Sequence, residues 1–180
     1  TGHVTALSIG PDGKRMAVAR ADGVLIWTGD VRHDIDIAGV GAMSFAADGA
    51  LVMVNADGVH RWAIGDTAEE IPLADGVEPQ ALALSPTALA LSPTGATMAV
   101  GSTSGDILLL RTSDFGVNRR IPAHSGPVDG LGWSSDGNVM VSVSNGEIGP
   151  RMWSADSGRR IVKGDGHDRP VRHVAASGDL

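Results

Sequence analysis

Six histidines, a recurring Asp-Gly pair and two Arg-Arg pairs are the residues of this 180-residue chain whose types could do chemistry. Imidazoles and carboxylates that converge can hold a metal, and a metal-bound water can hydrolyse esters or amides. The spacing argues against this. His167 and His173 lie six apart, which fits no zinc site, and His33 and His60 stand alone in sequence and are expected at the surface. The D-x-D-x-D-G spacing of a calcium loop is missing, so the Asp-Gly pairs read as hairpin turns. Cysteine is absent, which removes thiol nucleophiles, Cys-ligated zinc and disulfides. No G-x-S-x-G, no phosphate-binding Gly-x4-Gly-Lys-Ser/Thr and no G-x-G-x-x-G after a strand occurs. Arg119-Arg120 and Arg159-Arg160 are too sparse for a nucleic-acid surface in a chain of net charge −7. They read as charges that discourage pairing at strand edges. The residues therefore predict no catalytic, cofactor or metal site, and no nucleic-acid partner.

The elements that must position these residues recur in order. A short apolar run, a tight turn, a second run, a second turn and a run ending in a large residue appear four times. The first copy is Val4–Ile9, Pro11-Asp12-Gly13, Met16–Ala19, Asp22-Gly23 and Val24–Trp27. The second is Ala42–Ala46, Asp48-Gly49, Leu51–Val54, Asp57-Gly58 and Val59–Trp62. The third is Ala88–Leu91, Pro93-Thr94-Gly95, Thr97–Val100, Ser104-Gly105 and Ile107–Leu110. The fourth is Val128–Trp133, Asp136-Gly137, Val139–Val143, Asn145-Gly146 and Arg151–Trp153. Asp-Gly and Asn-Gly supply the positive φ that tight reversals need, so each marks a turn between antiparallel strands. A fourth strand is expected at Asp34–Ile37, Glu70–Leu73, Arg119–Pro122 and Arg159–Val162. Runs such as Leu51-Val52-Met53-Val54 are apolar without alternation, the mark of a strand covered on both faces. No window carries a helical stripe. The fold class is all-β, and four-stranded antiparallel sheets repeating about every 40 residues are the content of a β-propeller.

Particular motifs sharpen this. Gly2-His3, Ala123-His124 and Gly166-His167 resemble the Gly-His signature of the WD-repeat (WD40) family. Ile9-Gly10-Pro11-Asp12-Gly13, Ser92-Pro93-Thr94-Gly95 and Ser134-Ser135-Asp136-Gly137 resemble its Ser-Pro-Asp-Gly turn. Trp27, Trp62 and Trp153 resemble the Trp that ends its third strand. The resemblance implies a divergent, bacterial-type partial propeller, with blades at about 1–38, 39–75, 76–123 and 124–164 and the start of a fifth at 165–180. It also implies structural roles for His3, Trp27, Trp62, His124, Ser142, Trp153 and His167. The sequence departs from the family in having no Asp after any Trp, and Leu110 replaces the third Trp. Only the fourth copy offers His124, Ser142 or Ser144, and Trp153 together, with Glu147 near the family's Asp position. These blades are therefore expected to depend more on packing than on the family's buried polar network. The segment ALALSPT occurs twice, at 81–87 and 88–94. The second copy runs on into Gly95, so the strand is expected at Ala88–Leu91.

The first strands, which would line a central channel, offer Asp129 as their one ionisable residue, so no active site is expected there. The function implied by the resemblance is a non-catalytic scaffold that binds other proteins through its rim loops. The rim residues are Arg20, Asn55, Asp75, Glu78, Ser102, Ser125, Asn145, Glu147, Asp168 and Arg169. The alternative is a small-molecule or carbohydrate sensor attached to a signalling or enzymatic domain, for which Trp133, lying off the repeat pattern, is the aromatic residue of interest. A chain starting at Thr1 and ending within a fifth copy is expected to be part of a longer protein, or to have its ring completed by missing blades or self-association. Without a long apolar run or a signal pattern, a cytoplasmic location and no membrane partner are expected.

Overall fold

The computed structural model describes residues 3–46, 48–63, 69–70 and 86–161. The expected start of a fifth blade, with His167, Asp168 and Arg169, lies outside these residues, as do Asp75 and Glu78. Two compact units divide the chain, Thr1–Pro86 and Thr87–Leu180. The described residues form strands and turns, with no helix.

The first unit holds two sheets. Sheet 1 runs in chain order through β1 (Val4–Ile9), β2 (Arg15–Arg20), β3 (Gly23–Thr28) and β4 (Val31–Ile35). Sheet 2 follows with β5 (Ala42–Phe45), β6 (Leu51–Val54), β7 (Val59–Trp62) and β8 (Glu69–Glu70). The second unit repeats the plan. Sheet 3 comprises β9 (Pro86–Leu91), β10 (Thr97–Ser102), β11 (Asp106–Arg111) and β12 (Val117–Pro122). Sheet 4 comprises β13 (Val128–Trp133), β14 (Val139–Ser144), β15 (Arg151–Ser154) and β16 (Arg160–Ile161). Every resolved pairing between neighbours is antiparallel, the meander of a propeller blade.

The turns explain the register. Asp12, Asp48 and Asp136 each accept at 3.0 Å the backbone N–H two residues on, while the following Gly takes a left-handed φ of 68 to 86°. Thr94 does the same more weakly, through its hydroxyl at 3.4 Å. One turn geometry thus sets one register, and Trp27, Trp62, Leu110 and Trp153 fall opposite Met16, Leu51, Met98 and Met140. The four large residues are therefore equivalent. In sheet 1 the fourth strand begins at Val31 rather than Asp34, because the two-residue turn Gly29-Asp30 returns the chain at once. In sheet 3 the second copy of ALALSPT forms the strand, extended backwards by Pro86 and Thr87.

Stacking of unlike faces builds both cores. In the first unit Met43, Phe45, Leu51, Met53 and Trp62 of sheet 2 pack on Ala17, Ala19, Val24, Ile26 and Ile35 of sheet 1. In the second, Trp133, Met140 and Trp153 of sheet 4 pack on Ala88, Ala99, Ile107, Leu109 and Ile121 of sheet 3. A bulky face meets a face of small and branched residues, which lets the sheets approach closely. Hydrogen bonds repeat the join. Thr5 donates to the carbonyl of Val40 at 2.8 Å and Thr87 to that of Val128 at 2.5 Å, at equivalent places in the two units. Phe45 N–H donates to Ser8 Oγ, and Trp133 Nε1–H to the carbonyl of Ala90, again at equivalent first-strand positions. Trp133 is thereby a core residue at the end of β13, on the row that Phe45 occupies in sheet 2.

Met140 is fully buried between Trp133 and Trp153 on one row of sheet 4. Truncation to Ala is expected to lower the unfolding free energy by about 2–5 kcal/mol. Denaturant unfolding followed by Trp fluorescence measures this.

Candidate functional site

The turns joining second to third strands start at one equivalent position, held by Arg20, Asn55, Ser102 and Ser144. Their lengths differ. From that residue to the row residue of the third strand is seven positions in sheets 1 and 2, eight in sheet 3 and nine in sheet 4. Each turn is fixed by its own polar chemistry.

Sheet 4 carries the largest network. Trp153 Nε1–H donates to Ser142 Oγ at 2.8 Å, and Ser142 Oγ lies 2.7 Å from His124 Nε2. With the Ser142 hydroxyl donating onward, His124 Nε2 accepts and its Nδ1–H points at Glu147 Oε2, 2.7 Å away. Glu147 Oε1 accepts from both the backbone N–H and the hydroxyl of Ser125, each at 2.8 Å. The Arg151 guanidinium lies 2.8 Å from Glu147 Oε2 and also donates to the carbonyl of Ala123. His124 and Ser142 are buried, and the His124 and Trp153 rings meet edge to face. The residues that the fourth copy offered in sequence, His124, Ser142, Trp153 and Glu147, are thus joined in one network. Glu147 reaches from the long turn to the loop entering β13.

In sheet 2 a different pair does the same work. Asn55 Oδ1 accepts from the N–H groups of Asp57 and Gly58 and from His60 Nε2, while Asn55 Nδ2–H reaches the carbonyl of Ala38. His60 is accordingly buried, not at the surface as its isolation in sequence suggested. The five-residue spacing from Asn55 was its one sequence signal. His33 is half-buried, its ring tilted against Trp62 at 5.4 Å. In sheet 3 Ser102 accepts from the N–H of Asp106, and Asp106 Oδ2 receives Ser104 at 2.8 Å and Arg120 at 2.6 Å. The Arg120 bond holds the Asp106 carboxyl below its ordinary range. Asn55 and Ser102, offered in sequence as partner-contact residues, are buried and engaged within their turns. Arg20 pairs with Asp22 at 3.3 Å. His3, Ser125 and Asn145 are exposed.

What sequence reasoning missed is the tip of the sheet-4 turn. Ile148 is 72% exposed, the most open large apolar side chain among the described residues. The turn beneath it is pinned by Glu147 on one side and Arg151 on the other. Among the described residues no three His, Asp or Glu side chains cluster as a metal site, and no helix is long and apolar enough to cross a membrane. Trp62, Trp133 and Trp153 are buried within the sheets and Trp27 is half-buried, so none stands on these turns as a platform for a sugar.

Four-stranded antiparallel meanders stacked by unlike faces define these sheets as β-propeller blades. Comparison with known proteins agrees. The profile of the family "WD domain, G-beta repeat" matches residues 116–148. That span takes the outer strand of the third sheet, His124 and the first two strands of the fourth. Among solved structures, hydrazine synthase of Kuenenia stuttgartiensis is similar in fold, with a TM-score of 0.74 at 19% identity. The match covers 92% of this chain and 49% of that one, so the chain spans about half the length of that structure. No curated protein matches the sequence.

Acid should loosen the sheet-4 network. Burial keeps His124 below its ordinary proton affinity, outweighing the attraction of Glu147. Burial pushes Glu147 upward, but bonds from Ser125 and His124 outweigh it and hold the carboxyl at about 2. Both groups take up protons more readily in the unfolded chain, so stability falls as pH drops. The His124 contribution is lost below the ordinary imidazole range, and that of Glu147 between pH 4.5 and about 2. His124→Ala is expected to cost about 1–3 kcal/mol at neutral pH. Glu147→Gln is expected to destabilise at neutral pH and to flatten the loss below pH 4.5. Melting temperature against pH reads both.

Proposed function

We propose that this chain is a non-catalytic protein-binding scaffold that recognises another protein through the rim turn of its fourth sheet. The observation that carries this is Ile148, held 72% exposed on the longest of the four turns. An exposed apolar side chain on a mobile loop loses entropy when it docks. One on a turn already fixed by Glu147, Ser125 and Arg151 loses less, and so binds more tightly for the same contact. Ser125, bonded to the adjacent Glu147, and Asn145 of the same turn are exposed, and the Glu147 charge is matched by Arg151. This is an apolar anchor within a polar rim, the composition of a protein interface. Arg20, Asp75, Glu78, Asp168 and Arg169 are proposed to add partner contacts from other loops. The match to the WD-repeat profile at 116–148 supports the reading, because repeats of that type commonly bind proteins.

The test is a photo-cross-linking residue at position 148, with Ile148→Asp as control in a conventional pull-down. A single cross-linked protein, captured at least about tenfold less by Ile148→Asp at unchanged melting temperature, is expected. Stoichiometric metal in the purified chain, or a saturable thermal shift with a sugar or nucleotide and no cross-link, would replace the scaffold with a sensor.

A further inference from the structure

The sheet-4 turn carries a second feature that its packing leaves unused, Asn145 followed by Gly146. Asparagine is a chemically labile residue, because the backbone nitrogen of the next residue can attack its side-chain carbonyl. Three conditions favour the attack. The next residue has no side chain, its N–H is not tied up in a hydrogen bond, and the asparagine amide is free to turn. The chain has four asparagines, and they meet these conditions unequally. Asn55 is buried, its Oδ1 accepts from the N–H groups of Asp57 and Gly58, and its Nδ2–H donates to the carbonyl of Ala38. Asn118 Oδ1 accepts from Arg111 at 2.6 Å, and Arg119 follows it within β12. Asn138 Nδ2–H donates to Asp136 at 2.8 Å, and the N–H of the next residue, Val139, donates to Ser134 Oγ.

Asn145 differs on every count. It and Gly146 are both exposed. Among the described residues, neither the Asn145 side chain nor the Gly146 N–H has a hydrogen-bond partner. Nothing lies within 4 Å of the place a Gly146 Cβ would take, so the nitrogen is open to approach. Glu147 N–H donates to the carbonyl of Ser144 at 3.2 Å, and the turn this closes needs the φ of 97° at Gly146, a value glycine adopts without strain. The reversal is thereby built on the labile pair, and the pair stands directly before Glu147 and Ile148.

We propose that Asn145-Gly146 is a self-modifying site at which Asn145 deamidates to aspartate and isoaspartate. The Gly146 nitrogen bonds to Asn145 Cγ, the bond from Cγ to the amide nitrogen breaks, and ammonia leaves carrying the Gly146 proton. The cyclic succinimide then takes up one water. Opening at Cγ restores the backbone and leaves an aspartate side chain. Opening at the main-chain carbonyl routes the backbone through the former side chain and adds a methylene to the turn. Either product places a new carboxylate near that of Asp129, which already accepts the Asn145 N–H. Like-charge repulsion and the longer backbone both pull on the turn that sets Glu147 against His124 and Ser125. The site stands whether or not Ile148 binds a partner.

The folded full chain, incubated at mildly alkaline pH and mapped by peptide mass spectrometry at intervals, tests this. Exchange of the amide for a hydroxyl is expected at position 145 ahead of 55, 118 and 138, and faster as pH rises. An isoaspartyl methyltransferase should label the same position. Asn145→Gln, whose longer side chain closes the ring poorly, is expected to lose the modification there. The acidic fraction, separated by ion exchange, is expected to melt below the fresh chain. Conversion of another asparagine before Asn145 overturns the proposal, as does an Asn145 amide that converts only once urea has unfolded the chain. An acidic fraction that melts with the fresh chain overturns the coupling to Glu147.

Discussion

The stacking of a bulky face on a small-residue face governs everything else in these units. It requires an apolar face on each inner strand, which Leu51 and Met53 supply in sheet 2 and Ile107 and Leu109 in sheet 3. It also requires a fixed register, because a slip by one residue would turn Met140 and Trp153 away from Ala99 and Leu109. The tight Asp-Gly turns supply that register locally, and the Thr5 and Thr87 hydroxyls lock one sheet to the next. Since the faces are committed to packing, polar and charged residues collect at the turns and on the outer strands.

That division leaves the turns free to differ. At one equivalent position the chain places Arg20, Asn55, Ser102 and Ser144, and it follows each with a turn of its own length and bonding. His60 with Asn55, Asp106 with Arg120, and His124 with Glu147 are three answers to one problem. Each satisfies the polar groups of a reversal beside a dry core while tying it to a neighbouring strand or loop. The last of the three is the most extensive and supports the longest turn. A rigid base and an exposed apolar tip are thus found together, a consequence of the extra length that Glu147 has to bridge.

The fold was legible in the sequence because it rests on local signals that repeat. Asp12, Asp48, Thr94 and Asp136 mark turns by side-chain chemistry that acts within two residues, and the spacing from turn to large residue sets the row. The grouping of His124, Ser142, Trp153 and Glu147 was legible for the same reason, as residues that one copy of the repeat holds together in sequence. Three things were decided only in three dimensions. His60 and Asn55 read as surface residues, yet a five-residue reach across a hairpin buries both, because a hydrogen bond formed there removes the penalty of taking imidazole from water. Trp133 stood off the repeat pattern until pairing showed it sharing the row of Phe45, since equivalence in a sheet is set by register and not by residue type. The exposure of Ile148 came last, because how much water a side chain keeps depends on which other sheet lies across it, and no local signal encodes that.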